Sequence, residues 1–215
     1  MNLPRVVGLL PTYNRPDMAH RAMHLFLEQD YGGPMHLLVF DDGEQRVAGC
    51  AACRPQVELV NVPRMKLPAK RNAMMEHVAD SSAFYFMWDD DDYHGPQRVA
   101  RQVDVLVFHA ACLLRPTLYY NAITDELRVS TWISDATIAY HWDFWQRRRF
   151  FEGIDPGSGY HFVTGRADVF EVPGQLDYMT VVHAGQRHTP PAFGPPEFTP
   201  APVDSDWARD RLRLR

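Results

Sequence analysis

The chain has 215 residues, 46% hydrophobic and 23% charged, a soluble globular mixture that excludes wholesale disorder, collagen-like repeats and long coiled coils and can bury one α/β core without disulfides. Twenty-two Lys and Arg against 27 Asp and Glu leave a net charge of -5, which argues against a protein that coats nucleic acid or anionic membrane over its whole surface. An odd set of three cysteines, Cys50, Cys53 and Cys112, points to a reducing compartment; apolar runs such as Val103–Leu114 are shorter than a membrane span and Met1–Arg5 has no signal-peptide core, so a cytoplasmic protein without a membrane span is expected.

Arg5–Leu10 reads as a central parallel strand covered on both faces. It ends at Pro11-Thr12-Tyr13-Asn14-Arg15. Pro16 suits the first turn of a helix, and Ala19, Met23 and Phe26 follow at helical spacing until Tyr31-Gly32-Gly33-Pro34 stops it. The cycle repeats: Met35–Phe40 is a strand ending in Asp41-Asp42-Gly43, Val57–Val62 a strand, Ala69–Ala79 a helix, and Phe84–Trp88 a strand running into Asp89-Asp90-Asp91-Asp92. Alternating strands and helices predict a parallel sheet, whose ligands bind outside the carboxyl ends of the strands. Three of those ends carry Asn14 and Arg15, Asp41 and Asp42, and the run of four aspartates.

After a helix beginning at Pro96 the texture changes. Thr117–Tyr120 and Leu127–Thr131 predict a hairpin, Thr137–Tyr140 another strand, and Asp143–Arg149 a turn or two of helix. Six prolines between 190 and 202 predict an extended segment lying over the surface. Arg209–Arg215 alternates Arg with Leu and reads as an edge strand or a loose tail. Cys50-Ala-Ala-Cys53 lacks a second pair and reads as loop thiols.

Four consecutive aspartates after a buried strand repel one another unless a cation or hydrogen bonds compensate. A solvated acidic loop or a helix start before Pro96 would explain the charge equally well, but the strand placement favours a metal. Mg²⁺ or Mn²⁺ pairs one or two protein carboxylates with substrate phosphates. Lys66 and Lys70 are the only lysines, so positive charge is supplied by arginine, suited to planar contacts with phosphate or carboxylate.

Taken together, Lys70-Arg71-Asn72, then Phe86-Met87-Trp88-Asp89-Asp90-Asp91-Asp92-Tyr93, Pro96, Arg98 and Gln102-Val103 resemble the donor site of glycosyltransferase family 2. The loops Pro11–Arg15 and Val39–Gly43 fall where that family has its first two nucleotide-binding loops. The resemblance implies a single GT-A domain over residues 1–189, a Rossmann-like, mostly parallel sheet flanked by helices, with a donor half (1–110), a mixed acceptor half (111–189) and a Pro-rich extension with a basic tail (190–215). It implies that Thr12, Tyr13, Asn14, Arg15 and one of Asp41 or Asp42 hold the nucleoside, and that Lys70, Arg71 and Asp90 serve the donor, with Arg71 on the diphosphate or base. Asp89 and Asp91 resemble the two ends of the DxD motif, Asp91 as direct ligand of Mn²⁺ or Mg²⁺ and Asp92 as a neighbour sharing the work. Tyr178–His183 resembles the closing strand whose histidine, His183, completes the metal site.

One departure concerns the base. Where the family has Gly-Glu-Asp, whose acid deprotonates the acceptor hydroxyl, this chain reads Gly157-Ser158-Gly159-Tyr160-His161-Phe162. Neither Ser158 nor Gly159 supplies a carboxylate, which leaves Asp155 or Glu152 as replacements, with His161 third. The expected activity is metal-dependent, inverting transfer of a sugar from a nucleoside diphosphate, most often UDP, to an acceptor hydroxyl. Alternatives are the same donor chemistry on a nucleic-acid acceptor such as a hydroxymethylated base, for which Arg147-Arg148-Arg149 and the basic tail speak, and a non-catalytic nucleotide-sugar binder.

Overall fold

A computed structural model describes residues 2–48, 55–153, 158–174, 176–184 and 198–212. The first half follows the hydrophobic pattern. Strands β1 (Val6–Thr12), β2 (Met35–Asp41), β3 (Val57–Asn61) and β4 (Phe84–Met87) lie parallel, joined by α1 (Pro16–Leu27) between β1 and β2 and α2 (Leu67–Val78) between β3 and β4. α1 starts at Pro16, which lacks only an N–H that no helix uses there, and buries Ala19, Ala22, Met23 and Phe26. α2 departs from that scheme: its inward residues include Lys70, Arg71 and Asn72 beside Met74 and Met75. A helix that turns cations inward needs buried acids to meet them.

The rest of the chain completes this sheet and builds a second one. After β5 (Tyr93–His94) and α3 (Arg98–Leu106) come β6 (Ala111–Leu114), the hairpin β7 (Thr117–Asn121) and β8 (Glu126–Ser130), a 3-10 turn at Asp135–Thr137, β9 (Ile138–His141) and α4 (Trp142–Arg147). Then follow α5 (Ser158–Val163), β10 (Val169–Val172), β11 (Tyr178–Val182), β12 (Phe198–Pro200) and α6 (Ser205–Leu212). The main sheet has the order β10-β6-β9-β4-β1-β2-β3 and the second β12-β8-β7-β11-β5. β9 runs antiparallel to both β4 and β6, so the mostly parallel sheet is mixed on one side, as the resemblance implied.

Apolar residues cover both faces of the main sheet. On one, Phe26 meets Trp88 edge to face at 5.1 Å; on the other, Phe150 stacks on Phe162 at 4.2 Å beneath Tyr140. The Val103–Leu114 run splits into the end of α3 and strand β6, which the pattern alone did not divide. Of the Gly157–Phe162 stretch, Ser158–Phe162 is helical and belongs to α5. The described part of the basic end, Arg209–Leu212, is helical. Ser205–Leu212 is helical, begun by Asp204 accepting the Trp207 N–H at 3.0 Å, and β12 adds an edge to the second sheet beside β8. Cys50, Cys53 and Asp155 lie outside the described residues, and among those described no helix is long and apolar enough to cross a membrane.

Candidate active site at the carboxyl ends of the parallel strands

Strand register decides which side chains meet. Thr12 pairs with Asp41, and β4 stops at Met87 opposite Leu9, so the chain after β4 runs along the end of β1, with the Trp88 N–H donating to the Leu9 carbonyl at 3.0 Å. Because β9 is antiparallel to β4, with Ala139 opposite Phe86, the turn before β9 arrives at the same edge. The site is therefore built from four strand ends and from α2 behind them.

The first two loops are locked to each other. Asn14, at φ +53°, accepts hydrogen bonds from the N–H groups of Glu44 and Gln45 at 2.6 and 3.0 Å. A side chain at Gly43 would begin 2.5 Å from the Asn14 backbone nitrogen, so the close approach requires glycine. Asp41 accepts from the N–H groups of Gly43 and Val47 at 2.9 and 2.8 Å, and is buried as the keystone of its loop. Asp42 takes Lys70 Nζ at 2.5 Å on one oxygen, and Arg64 and the Met65 N–H at 2.7 and 3.0 Å on the other. Burial works to raise its pKa, but the Lys70 ammonium and the Met65 amide outweigh it and hold Asp42 below the usual carboxylate range. Lys70 also donates to the Thr12 carbonyl at 3.0 Å, and the Arg64 guanidinium lies 3.7 Å from the centroid of the Tyr13 ring. Of the residues expected to serve the donor, Asn14, Asp41, Asp42 and Lys70 thus fix the first two loops and tie them to α2.

The four aspartates diverge in environment. Asp89 meets Arg71 at 3.3 Å. Asp90 accepts the Thr12 hydroxyl at 2.6 Å and pairs with Arg15 at 2.7 Å. Asp91 Oδ2 meets Arg15 at 2.5 Å and His183 Nε2 at 3.3 Å. Asp92 faces the other way: one oxygen accepts the Tyr178 hydroxyl and the other the Val181 N–H at 3.0 Å. Burial, followed by the charges of Asp91 and Asp89, raises Asp92 well above the carboxylate range. With both oxygens taken inside the protein, Asp92 fastens β11 to the acidic run rather than offering a metal ligand.

Arg71 also differs from its expected role. Its guanidinium is fully buried, with Nη1 on Asp135 at 2.6 Å and Ser158 Oγ at 3.2 Å, and Nη2 on Asp89 at 3.3 Å. It holds two carboxylates apart from each other and makes no surface for a diphosphate. Asp135 carried no motif in the sequence and is brought here only by the antiparallel β9. Glu152, a candidate base, accepts from the Asn72 amide at 3.0 Å, and Asn72 in turn receives the Trp145 indole N–H at 3.0 Å. Arg147 and Arg149 are paired with Asp168 and Glu76 at 3.1 and 2.6 Å, and Arg148 donates to the Thr164 carbonyl at 3.0 Å.

Electrostatics separate Asp90 from Asp91. Burial raises Asp91, but hydrogen bonding from His183 and the charge of Arg15 prevail and keep it ionised. Asp90 is pushed up to about 7, by burial first and by its charged neighbour Asp91 second. A carboxyl whose folded pKa exceeds its unfolded value of roughly 3.9 favours the fold fully below that value, and its contribution is lost as pH rises through the folded pKa. In chelator-treated protein, Asp90→Asn should therefore gain stability over the parent at pH 8 and lose the advantage below about pH 4, read by denaturant titration at both ends. A constant difference across that range would contradict the assignment.

Asp91, in the run between β4 and β5, and His183, just past β11, converge from segments some ninety residues apart. Among the described residues no three His, Cys, Asp or Glu side chains form a ready-made metal cage. One carboxylate oxygen and one imidazole nitrogen nevertheless fit a divalent cation that completes its shell with substrate phosphates and water.

Comparison with known proteins agrees with this architecture. Residues 9–170 match the Glycosyl transferase family 2 profile. The fold is similar to that of S. aureus TarS 1-349 in complex with UDP-GlcNAc (TM-score 0.64, 13% identity, covering 85% of this chain and 60% of that one). It is likewise similar to the mannosyltransferase PcManGT from Pyrobaculum calidifontis in complex with GDP-Man and Mn²⁺ (TM-score 0.64, 16% identity, covering 86% and 59%). The chain thus spans about 60% of the length of the TarS structure. No curated protein matches it in sequence. The profile covers most of the chain, from the second half of β1 to β10, and on that evidence the protein belongs to glycosyl transferase family 2, a family of enzymes.

Proposed function

We propose that the protein transfers a sugar from a nucleoside diphosphate to an acceptor hydroxyl by a single inverting displacement, with Mn²⁺ or Mg²⁺ held by Asp91 and His183. The observation that carries this reading is the convergence of Asp91 Oδ2 and His183 Nε2 at 3.3 Å where the parallel strands end. When bound, the cation supplies Lewis-acid neutralisation of the departing nucleoside diphosphate. The protein's own contribution is positional. Arg15, at 30% side-chain exposure, can leave its aspartates to meet phosphate oxygens. Thr12, Tyr13 and the locked Asn14–Gly43 loops form the cleft for the base and ribose, and Arg71 and Lys70 hold Asp89 and Asp42 behind it.

The bound donors of the two similar structures, UDP-GlcNAc and GDP-mannose, are the first candidates to test; UDP-sugars are preferred on the family resemblance. A carbohydrate or other hydroxyl compound is the proposed acceptor. The nucleic-acid alternative gains nothing from Arg147–Arg149, each of which already has a protein partner. Thermal unfolding with each donor, with and without Mn²⁺, should show a cation-dependent rise in melting temperature, since a ligand bound to the native state alone stabilises it by about 2.7 kcal/mol at a hundred times its Kd. Equal stabilisation in Mn²⁺ and in chelator would refute a metal-dependent donor site.

A further inference from the structure

Glycosyl transfer to a hydroxyl needs a group that accepts a proton beside the nucleophile, and most carboxylates at this sheet edge are already committed. Asp41, Asp42 and Asp92 have both oxygens in hydrogen bonds within the protein. Asp90 and Asp91 face Thr12, Arg15 and His183. Asp89 keeps some exposure but belongs to the run that faces the cation and the diphosphate. Asp135 is different. Its Oδ2 receives both Arg71 Nη1 at 2.6 Å and the Gly159 N–H at 2.9 Å, while Oδ1 has no hydrogen-bond partner among the described residues and the side chain is 18% exposed. One oxygen is clamped and the other is left without a hydrogen bond.

The clamp is deep. Arg98, fully buried, donates to the Ala136 carbonyl at 2.5 Å, and Gln102 donates to the Thr137 carbonyl at 2.9 Å. Ser134 exchanges a hydrogen bond of 2.8 Å with Tyr178. Asp135 is thus fixed on either side by α3 and β11. Gly159 closes the argument: a side chain there would begin 2.3 Å from Asp135 Cγ and 2.4 Å from Oδ1. The carboxylate from the turn before β9 fills the space in which any side chain at residue 159 would start. Asp135 cannot move aside without giving up Arg71 and the Gly159 amide together.

Resting on the transferase reading above, we propose that Asp135 is the general base, a carboxylate delivered to residue 159's place in space from a segment 24 residues earlier. The acceptor O–H gives its proton to Asp135 Oδ1 as its oxygen bonds to the anomeric carbon. The bond from that carbon to the β-phosphate oxygen breaks, its electron pair leaving with the nucleoside diphosphate, and Asp135 later releases the proton to water. Arg71 and the Gly159 amide hold the carboxylate in place through the opposite oxygen.

The experiment uses the full chain with Mn²⁺ and UDP-GlcNAc or GDP-mannose, reading nucleoside diphosphate release with water as acceptor alongside the donor-induced melting shift. Asp135→Asn should lower release by about 10² to 10⁴ with the donor-induced shift retained. Because that variant also weakens the partner of a buried arginine, a second one moves the carboxylate back: Asp135→Gly combined with Gly159→Asp should recover release at least about tenfold over Asp135→Asn. Full release in Asp135→Asn, or a folded, donor-binding swap variant with no recovery, overturns the assignment. So does a parent that binds donor but never hydrolyses it, since a base beside the donor activates water. A parent that neither binds nor cleaves any nucleotide sugar overturns the transferase reading, and this one with it.

Discussion

Asp91→Ala is expected to abolish the cation-dependent part of donor stabilisation and to lower turnover by about a thousandfold or more, while leaving the fold intact. The size follows from the chemistry assigned to the site: Lewis-acid help to a leaving group amounts to several kcal/mol, and each 1.36 kcal/mol is a factor of ten in rate. The fold should survive because Asp91 has opposing effects on it. Its removal leaves Arg15 with Asp90 alone and frees His183 from its carboxylate, but it also removes the charge that, after burial, most raises Asp90. Melting curves of parent and variant, each with UDP-GlcNAc or GDP-mannose in Mn²⁺ and in chelator, separate these effects. A variant that keeps the parent's Mn²⁺-dependent shift would remove Asp91 from the metal site.

Arg71→Met is expected to cost the fold about 3 to 5 kcal/mol, the range for breaking a buried ion pair from one side. The guanidinium is fully buried and joins Asp89, Asp135 and Ser158, so its loss strands two carboxylates at once. Arg71→Lys keeps the charge, but one ammonium has no fork to span both acids and should recover only part of the loss. Denaturant midpoints of the three proteins decide it. A Met variant within 1 kcal/mol of the parent, below the typical cost, would show that Arg71 serves something other than this cluster. Donor affinity should fall in both variants only through displacement of Asp89 and Asp135, in contrast to the direct diphosphate contact expected from the motif.

What the sequence disclosed, and what it hid, follows from how each element is made. β1, β2 and β4 are legible because strands covered on both faces become continuous apolar runs between Gly, Pro and Asp stops. β6 shares one apolar run with the end of α3, so no change in texture marks the boundary. β5 has two residues and β12 three, too few for any periodicity. The end of α6 reads as an edge strand or a loose tail on the alternation of Arg and Leu from Arg209, although Asp204, three residues before Trp207, is an N-terminal capping signal for a helix. The acidic run and its strand placement were readable, but their division of labour was not. Whether an aspartate meets His183 or Tyr178 depends on β11, which lies some ninety residues away. Asp135 left no local trace at all, because its proximity to Gly159 and Arg71 exists only once β9 has turned antiparallel to β4.

The bond from Asp92 to Tyr178 and Val181 makes β11 a tether with two attachments, since His183, just past the strand's end, reaches Asp91. The carboxyl end of the main sheet is consequently stitched to residues from the last fifth of the chain. No cut placed between β9 and β11 would yield a free-standing donor half, however complete its first four strands. A ribosome emitting this chain from its N-terminus holds an acidic run already met by Thr12, Arg15 and Arg71 but lacking its contacts to Tyr178, Val181 and His183 until those residues emerge, so the proposed cation site is completed late in synthesis.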